Sequence, residues 1–451
     1  SAGATVAFTR TDGGDPTLVL TAAGGRYHIG LAPGDYSVAV RAFGYGPVSL
    51  SLTVGVHQTI TQDFALTALP TGTLTGRVTA EGRPIRIGYT IYLPLIGKSS
   101  TMGHTDRSVS ATVPALTARP WPQVVTVTVV GTPVQTQTDL SGVFTLTLPA
   151  GQYTVTVAGL GHRVSTAADV PVTAGQTTRR DFDLVTAPTI LLVDSGAWYY
   201  ESQIAFYRQA LDDLGYTYDV WTIRDVFRDV PQGRDLSPYD IVFWSAPQDS
   251  PGYVGASEAL AAYLSGGGAL FLSGQDVAYH DDNSMFINAP YFRRYVQAAF
   301  VRENFDIFDV TGASGSPFEG LSFRITGVGG AGNQESPDVI HSINAAHTAP
   351  ALAYADRSPA GQLTALCTPY RIIFLAFGFE GIADRAARAD LLDRSIRWLT
   401  APRTVSGLEM TPASAAIVGD FGAAVTHTWQ IRNIAETGAA ERFDLAASGW
   451  R

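Results

Sequence analysis

Short stretches of alternating apolar and polar residues, interrupted by Gly and Pro, fill residues 24–66, and the same order of features returns at 141–184. Each copy runs Gly-x-aromatic, alternating apolar positions, a turn ending Gly-x-Tyr, a second alternating stretch and a Gly turn. Each then closes on Asp-Phe-x-Leu, at 63–66 and at 181–184. Period-two patterning with turn residues at its breaks predicts short antiparallel strands that bury one face. Tyr36 and Tyr153, which follow the turns, are expected to fold over the sheet end with the hydroxyl reaching backbone or water. The second copy starts with GTLTGRVTAEGRPI (72–85) and resumes at PQVVTVTVV (122–130). The Pro-, Ser- and Thr-containing stretch between them, about 86–121, reads as an irregular inserted loop.

At Ala187 the pattern changes. TILLVD (189–194) is a continuous apolar run, as expected of a strand buried on both faces of a parallel sheet. Behind it Ile204, Tyr207, Leu211 and Leu214 fall at helical spacing, with Gly215 as the stop. Strands follow at 216–221, 239–247 and 269–276, with a helix at 256–268. A less regular region spans about 277–360, and then come adjacent strands, QLTALC and RIIFLAFGFE, and a helix at 385–399. Strands alternating with helices of this length imply right-handed βαβ units and a doubly wound, flavodoxin-like sheet. After Pro402 the period-two alternation returns.

Composition narrows the setting. A chain of 451 residues exceeds one ordinary core and suits about three or four domains. With 46 Gly, 25 Pro and 16% charged residues, β-rich modules are favoured over coiled coil or disorder. The formal net charge of −10, without a basic block, argues against nucleic acid as a partner. The single cysteine, Cys367, excludes an intrachain disulfide and reads as a buried strand residue. No apolar run approaches the ~20 residues of a membrane helix. The chain opens and closes in mid-pattern, so it is expected to be an excerpt of a longer polypeptide.

The repeat resembles the carboxypeptidase regulatory-like (transthyretin-like) β-sandwich module, on its Gly-x-Phe/Tyr, Pro/Ala-turn-Gly-x-Tyr and Gln-Thr-x-x-x-Asp-Phe-x-Leu signatures. Copy one, 1–68, lacks the first strand and reads as N-terminally truncated; copy two is 69–186. Residues 187–401 resemble the class I glutamine-amidotransferase-like fold, in the atypical form found beside subtilisin-like peptidases of secreted proteins. LLVDSG, ALDDLGYTYDVW, YLSGGGALFLSGQD and LAFGFEGI carry that resemblance. Residues 402–451 resemble the start of an immunoglobulin-like sandwich, cut short at its C-terminus, on Thr426-x-x-Trp429-x-Ile431-x-Asn433 followed by Phe443-Asp444-Leu445. The expected fold class is therefore multidomain: two all-β sandwiches, one α/β domain and one partial sandwich.

Asp194-Ser195-Gly196 after an apolar strand has the look of a protease motif. The helix that follows, and the absence of a second Asp-Ser/Thr-Gly stretch, disfavour an aspartic protease. A subtilisin-like triad would need His-Gly-Thr-His and Gly-Thr-Ser-Met-Ala stretches downstream, and neither is there. The amidotransferase resemblance implies a Cys nucleophile on the turn after ALFLSGQD and a His-x-Glu base pair after the last strand. This chain has Ser273 in that turn, and Gly378 with Glu380 in place of His-x-Glu. Loss of both nucleophile and base argues against glutaminase chemistry. Ser273 remains a candidate nucleophile, with Asp194 or Glu380 assisting, provided that a base such as His280, His341 or His347 reaches it.

Asp194, Asp249, Asp276 and Glu380 are all placed at strand C-terminal ends, where open α/β sheets bind ligands. Such a carboxylate edge is a candidate for calcium, or else these acids cap helices and turns. Trp198, Tyr199 and Tyr200, with Gln275 and Asp276, are candidates to wall a cleft for sugar or peptide. The expected role is non-catalytic. The chain reads as the accessory region of a secreted or cell-surface bacterial hydrolase, a subtilisin-like peptidase with its catalytic domain elsewhere. The alternatives are a Ser273 hydrolase and a carbohydrate- or peptide-binding module.

Overall fold

A computed structural model of the chain describes residues 3–84, 125–199, 201–365, 370–401, 408–411 and 430–433. The 86–121 insert, Tyr200, Cys367 and most of 402–451 lie outside the described residues. The protein is β-rich and multidomain. It divides into two units, Ser1–Gly159 with Arg163–Thr186 and Leu160–His162 with Ala187–Arg451.

Unit 1 holds both copies of the repeat. In copy one, β1 (Thr5–Arg10), β2 (Thr17–Leu20), β3 (Gly34–Arg41) and β4 (Val48–Val54) form an antiparallel sheet in the order β2-β1-β3-β4. Alternation aims Val6 and Phe8 of β1, and Tyr36, Val38 and Val40 of β3, into one buried face.

Copy two spans β5 (Thr71–Ala80), β6 (Arg83–Pro84), β7 (Thr126–Val129), β8 (Gln135–Gln137), β9 (Val143–Pro149), β10 (Gly151–Ala158), β11 (Ser165–Val172), β12 (Thr177–Arg179) and β13 (Phe182–Leu184). One sheet is antiparallel, β11-β10-β7-β8. The other centres on β5, which pairs antiparallel with β9 and parallel with β12 and β13. Leu74, Val127, Leu146, Leu148, Val155, Val157 and Phe182 share the core of this module. Each such side chain contributes roughly 1.5–3 kcal/mol by its burial. In both copies the expected tyrosine hydroxyl contact goes to backbone: Tyr36 donates to Ala32 O (2.7 Å) and Tyr153 to Pro149 O (2.8 Å).

The copies differ where their sequences agree. Tyr27, Ile29 and Leu31 stand where copy two has Phe144, Leu146 and Leu148 of β9, and Phe64 and Leu66 where it has Phe182 and Leu184 of β13. Yet residues 26–32 and 59–66 form no strand, so copy one has one laddered sheet rather than the expected two. In copy two the matching stretches pair with β5, and among the described residues 26–32 and 59–66 join no such ladder.

Unit 2 is built on β14 (Ile190–Asp194), β15 (Tyr218–Thr222), β16 (Ile241–Ser245) and β17 (Ala269–Ser273). The helices are α1 (Ile204–Asp213), α2 (Gly233–Leu236), α3 (Ser257–Ser265) and, near the end, α4 (Arg385–Thr400). Between β17 and α4 lie β18 (Ala298–Glu303), β19 (Asp309–Gly312), β20 (Ser322–Arg324), β21 (Asp338–Ser342), β22 (Thr348–Tyr354), β23 (Pro359–Thr364) and β24 (Arg371–Leu375). The nine-stranded sheet runs β15-β14-β16-β17-β24-β23-β22-β19-β20. Its first five strands are mutually parallel and the rest antiparallel.

The region expected to be irregular, 277–360, thus supplies sheet strands and a separate β18–β21 ribbon. Short, interrupted alternation hid them. The last strand pair, β25 (Leu408–Thr411) with β26 (Gln430–Asn433), is antiparallel.

The apolar runs are buried at every position of β14, β16, β17 and β24 because both faces are covered. Leu192, Phe243, Phe271 and Ile373 pack with Tyr207 and Leu211 of α1 and Leu392 and Ile396 of α4. The alternate residues Leu191, Val242, Leu270 and Phe374 pack with Leu236 of α2 and Leu260 and Leu264 of α3. Gly215, with φ +71°, ends α1 through bonds from its own N–H to Asp212 O and from Tyr216 N–H to Leu211 O. Asp384 opens α4 by accepting from Ala386 and Ala387 N–H.

Candidate functional site

Parallel pairing sets the strand ends abreast, so that Thr222, Asp194, Ser245, Ser273 and Leu375 form one row across β15, β14, β16, β17 and β24. Asp194 and Ser273 belong to this row, and the loops beyond it carry Trp198, Tyr199, Asp249, Gln275, Asp276 and Glu380.

Ser273 is wholly buried. Its hydroxyl donates to Phe377 O (2.9 Å) and accepts from Phe379 N–H (2.7 Å). Both directions of the hydroxyl are used to tie the β17 turn to the turn after β24. The sequence reading placed this hydroxyl on an exposed elbow; here it is buried and ties the two turns together. No histidine is among its bonding partners. His280 meets the Tyr253 ring at a tilt and the Tyr279 ring edge-on, and His347 Nδ1 meets Asn344 Nδ2 at 3.0 Å.

At Gly378 a Cβ would lie 2.1 Å from Glu380 Oε1 and 2.5 Å from Gln334 Nε2. The Glu380 carboxyl fills the space a histidine would need, accepting from Asn333 Nδ2 (3.0 Å), while Gly378 N–H donates to Gln334 Oε1 (2.7 Å). Glu380 is wholly buried, and burial raises its pKa.

The other acids are held one by one. Asp194 Oδ2 accepts from Ser202 Oγ (2.6 Å), and burial raises its pKa. Asp249 Oδ2 accepts from Ser195 Oγ (2.6 Å) and Trp198 Nε1 (3.1 Å), and full burial pushes this carboxyl up to about 7. Asp276 accepts from Ser336 Oγ (3.0 Å) and is pushed up to about 6 by burial. These carboxyls do not converge. Among the described residues no group of three or more His, Cys, Asp or Glu side chains is placed to hold a metal ion. Calcium was one candidate reading of these acids and helix or turn capping the other; among the described residues the side-chain bonds of the three aspartates go to Ser202, Ser195, Trp198 and Ser336.

Gln275, expected to wall a cleft, is buried instead. Its Nε2 donates to Pro247 O (3.1 Å) and Asn333 O (2.9 Å), and its Oε1 accepts from Glu335 N–H (2.7 Å) and Ser336 N–H (3.1 Å). It fastens residues 333–336 over the sheet edge. Sequence reasoning missed Asp281 and Asp338. Asp281 is buried against Tyr291 OH (2.6 Å) and pushed up to about 6 by that burial. Asp338 accepts from Ala278 N–H (2.8 Å), and burial raises it well above the carboxylate range. The only signal for Asp281 was the oxygen-rich HDDN (280–283).

Aromatic rings do gather at this edge. Successive ring centroids lie 5.3 Å apart from Tyr199 to Trp198, 5.8 Å to Tyr253, 5.0 Å to His280, 5.3 Å to Tyr279 and 5.6 Å to Phe300. Tyr199 is 68% exposed, Tyr253 46% and Tyr279 38%, while Trp198 is half-buried over Asp249. The strip draws on the loops after β14, β16 and β17 and on β18, so four stretches far apart in sequence build it. Only the Trp198–Tyr199 part was foreseen.

No curated protein matches the chain. Among solved structures, a ThuA-like protein from Bacteroides uniformis is 17% identical, over 48% of this chain and 93% of that one, with a TM-score of 0.35. The exo-β-1,4-mannosidase Op5Man5 from Opitutaceae bacterium strain TAV5 is 10% identical over 47% of this chain, with a TM-score of 0.31, and the match spans 35% of the mannosidase. The minor pilin GBS52 of Streptococcus agalactiae is 10% identical, over 42% of this chain and 84% of that one, with a TM-score of 0.20. The family profile that matches is the carboxypeptidase regulatory-like domain, at residues 1–67 and 108–185. The repeat of unit 1 is thus similar to that domain in both of its copies.

Proposed function

We propose that this chain is a non-catalytic accessory and interaction region of a secreted or cell-surface bacterial hydrolase, a subtilisin-like serine peptidase whose catalytic domain lies outside residues 1–451. In this reading unit 2 is a degenerate amidotransferase-like domain of the doubly wound, flavodoxin-like class. The parallel order β15-β14-β16-β17-β24, with helices on both faces, supports that class. The carboxypeptidase regulatory-like match supports an interaction role for unit 1.

One observation carries the non-catalytic reading. The turn that would hold a nucleophile holds a buried serine with both hydroxyl directions engaged, and the place of the base has no room for a side chain. A serine at its free pKa needs an adjacent base to attack. Incubation with a fluorophosphonate probe and with glutamine is expected to give neither a covalent adduct nor ammonia. A labelled Ser273 would overturn the reading.

The aromatic strip favours a second reading, a carbohydrate- or peptide-binding module. Exposed rings with polar edges offer large contact area at little conformational cost. Soluble cell-wall oligosaccharides are expected to shift the Trp198 emission, and Tyr253→Ala with Tyr279→Ala is expected to weaken that binding at least about tenfold, or about 1.4 kcal/mol. An unchanged emission across a panel of glycans and peptides would count against it.

A further inference from the structure

The aromatic strip of unit 2 runs into a patch of acid. Asp338 accepts from Tyr279 N–H (3.2 Å), and Asp276 O accepts from His280 N–H (2.9 Å). Glu303 lies opposite Asp338 in the β18–β21 ribbon, on the strand that carries Phe300. Burial raises the pKa of Asp276, and the like charges of Glu303 and Glu335 add to the rise. Asp338 is raised by burial too, with Asp276 and Glu303 adding to it. The arginines beside this patch are engaged with other acids, Arg293 with Asp282 and Arg302 with Asp356 (3.0 Å). Burial lowers the pKa of His280, which keeps this imidazole of the strip neutral. Among the described residues, Asp249 Oδ1 and Asp338 Oδ1 are buried without a hydrogen-bond partner. The edge is thus richer in acceptors and negative charge than in donors and positive charge.

We infer that the strip binds an extended glycan whose sugars carry free amino groups, a glucosamine-type chain. The rings lie against its pyranoses, and exposed Glu335 and half-buried Glu303 take its ammonium groups. The inference rests on the binding-module reading above and narrows its ligand.

Spacing selects a glycan over a peptide. The five centroid steps along the strip lie between 5.0 and 5.8 Å, close to the length of one pyranose unit in a β-linked chain. An extended peptide returns a side chain to the same side every ~6.6 Å, and a polyproline helix every ~9 Å, so both fall out of step. Tyr199, Trp198 and Tyr253 turn by only 36° and 35° from ring to ring, which makes them the flattest part of the strip for stacking. Charge selects the amine. An ammonium is attracted by the face of a tyrosine or tryptophan ring and forms charge-assisted hydrogen bonds with carboxylates. An N-acetylated sugar gains neither, and an acidic glycan is repelled.

Soluble oligomers of glucosamine and of N-acetylglucosamine, titrated calorimetrically into the intact chain, test this. The amine oligomer is expected to bind saturably, at least about tenfold more tightly than the acetylated one. Tyr253→Ala with Tyr279→Ala, which leaves the charge of the chain untouched, is expected to weaken it at least about tenfold. Tyr199→Ala, at the most exposed ring of the three, gives the same reading should the double variant fail to fold. Glu303→Gln with Glu335→Gln is expected to bring the two oligomers to similar affinity. Equal binding of both oligomers by the wild-type chain overturns the charge inference and leaves the binding-module reading standing. Amine binding that no tyrosine variant weakens is attraction to the net charge of −10 and overturns the site. A capped peptide of alternating arginine and glycine that binds more tightly than the glucosamine oligomer overturns the choice of a glycan. Absence of saturable binding by any of the three overturns the proposal.

Discussion

Gly378→His, which would supply the base that the proposed amidotransferase-like reading lacks, is expected to destabilise unit 2 by about 3 kcal/mol and to yield no glutamine hydrolysis. Overpacked cores lose about 1–3 kcal/mol, and here the first added atom already meets a carboxyl oxygen at 2.1 Å. The Gly378 N–H bond to Gln334 and the Asn333 bond to Glu380 would both be disturbed. For a unit of this size that loss lowers the melting temperature by about 10 °C. Differential scanning calorimetry of the variant checks it. The double variant Gly378→His with Glu380→Ala should recover part of the loss, because that carboxyl makes the shortest of the contacts, the other being with Gln334 Nε2. Additivity of the two substitutions would show that the crowding is not between them. The space beside the glycine is thus taken by Glu380 and Gln334.

Stability should fall as pH rises from about 4 to 8, and Asp249→Asn should remove a large part of that fall. Asp249 has its folded pKa raised from 3.8 to about 7 by burial. A raised folded pKa means that the unfolded chain releases the proton first. The stabilising contribution is then fully present below about pH 4 and is lost as pH climbs through about 7. The displacement corresponds to about 4 kcal/mol between the two limits. Asp276 and Asp281, each pushed up to about 6, and Asp194, Asp338 and Glu380, raised by the same burial, act in the same direction. Denaturant titrations at pH 4.5 and pH 8 should find Asp249→Asn near wild type at the lower pH and more stable than wild type at the higher. Asparagine keeps an acceptor oxygen for Ser195 Oγ and Trp198 Nε1 and has no charge to bury. A variant destabilised equally at both values would rule out a titrating Asp249.

The buried acids also explain why the candidate site was only half legible. Asp194 ends β14, and Asp249, Asp276 and Glu380 lie in the loops three to five residues past the ends of β16, β17 and β24, where apolar runs give way to polar residues. What could not be read was which group faces each of them. Glu380 meets Asn333, Gln275 meets Glu335, and Asp249 meets Trp198, partners 47, 60 and 51 residues away. Sequence spacing carries no information on such meetings, so a metal edge and a set of isolated buried acids looked alike. Ser273 shows the same limit: an elbow predicts a turn, but Phe377 and Phe379 of another strand's turn decide whether its hydroxyl is free.

For the fold, local periodicity was sufficient wherever burial depends on a residue's own element. It set the inward positions of β1, β3, β9 and β10, the wholly buried runs of β14, β16, β17 and β24, and the face of α1 that carries Tyr207 and Leu211. Period two or 3.6 is a property of backbone geometry, and the chain itself carries it. Strand formation is another matter, because a strand's hydrogen bonds belong to its neighbour. VFTLTLP becomes β9 beside β5, whereas RYHIGLA, with the same alternation, joins no ladder among the described residues. The residues alone determined that both segments would extend and which side chains would turn inward. Only the tertiary structure, through the neighbour that β5 gives to β9, decided which of them is seen as sheet.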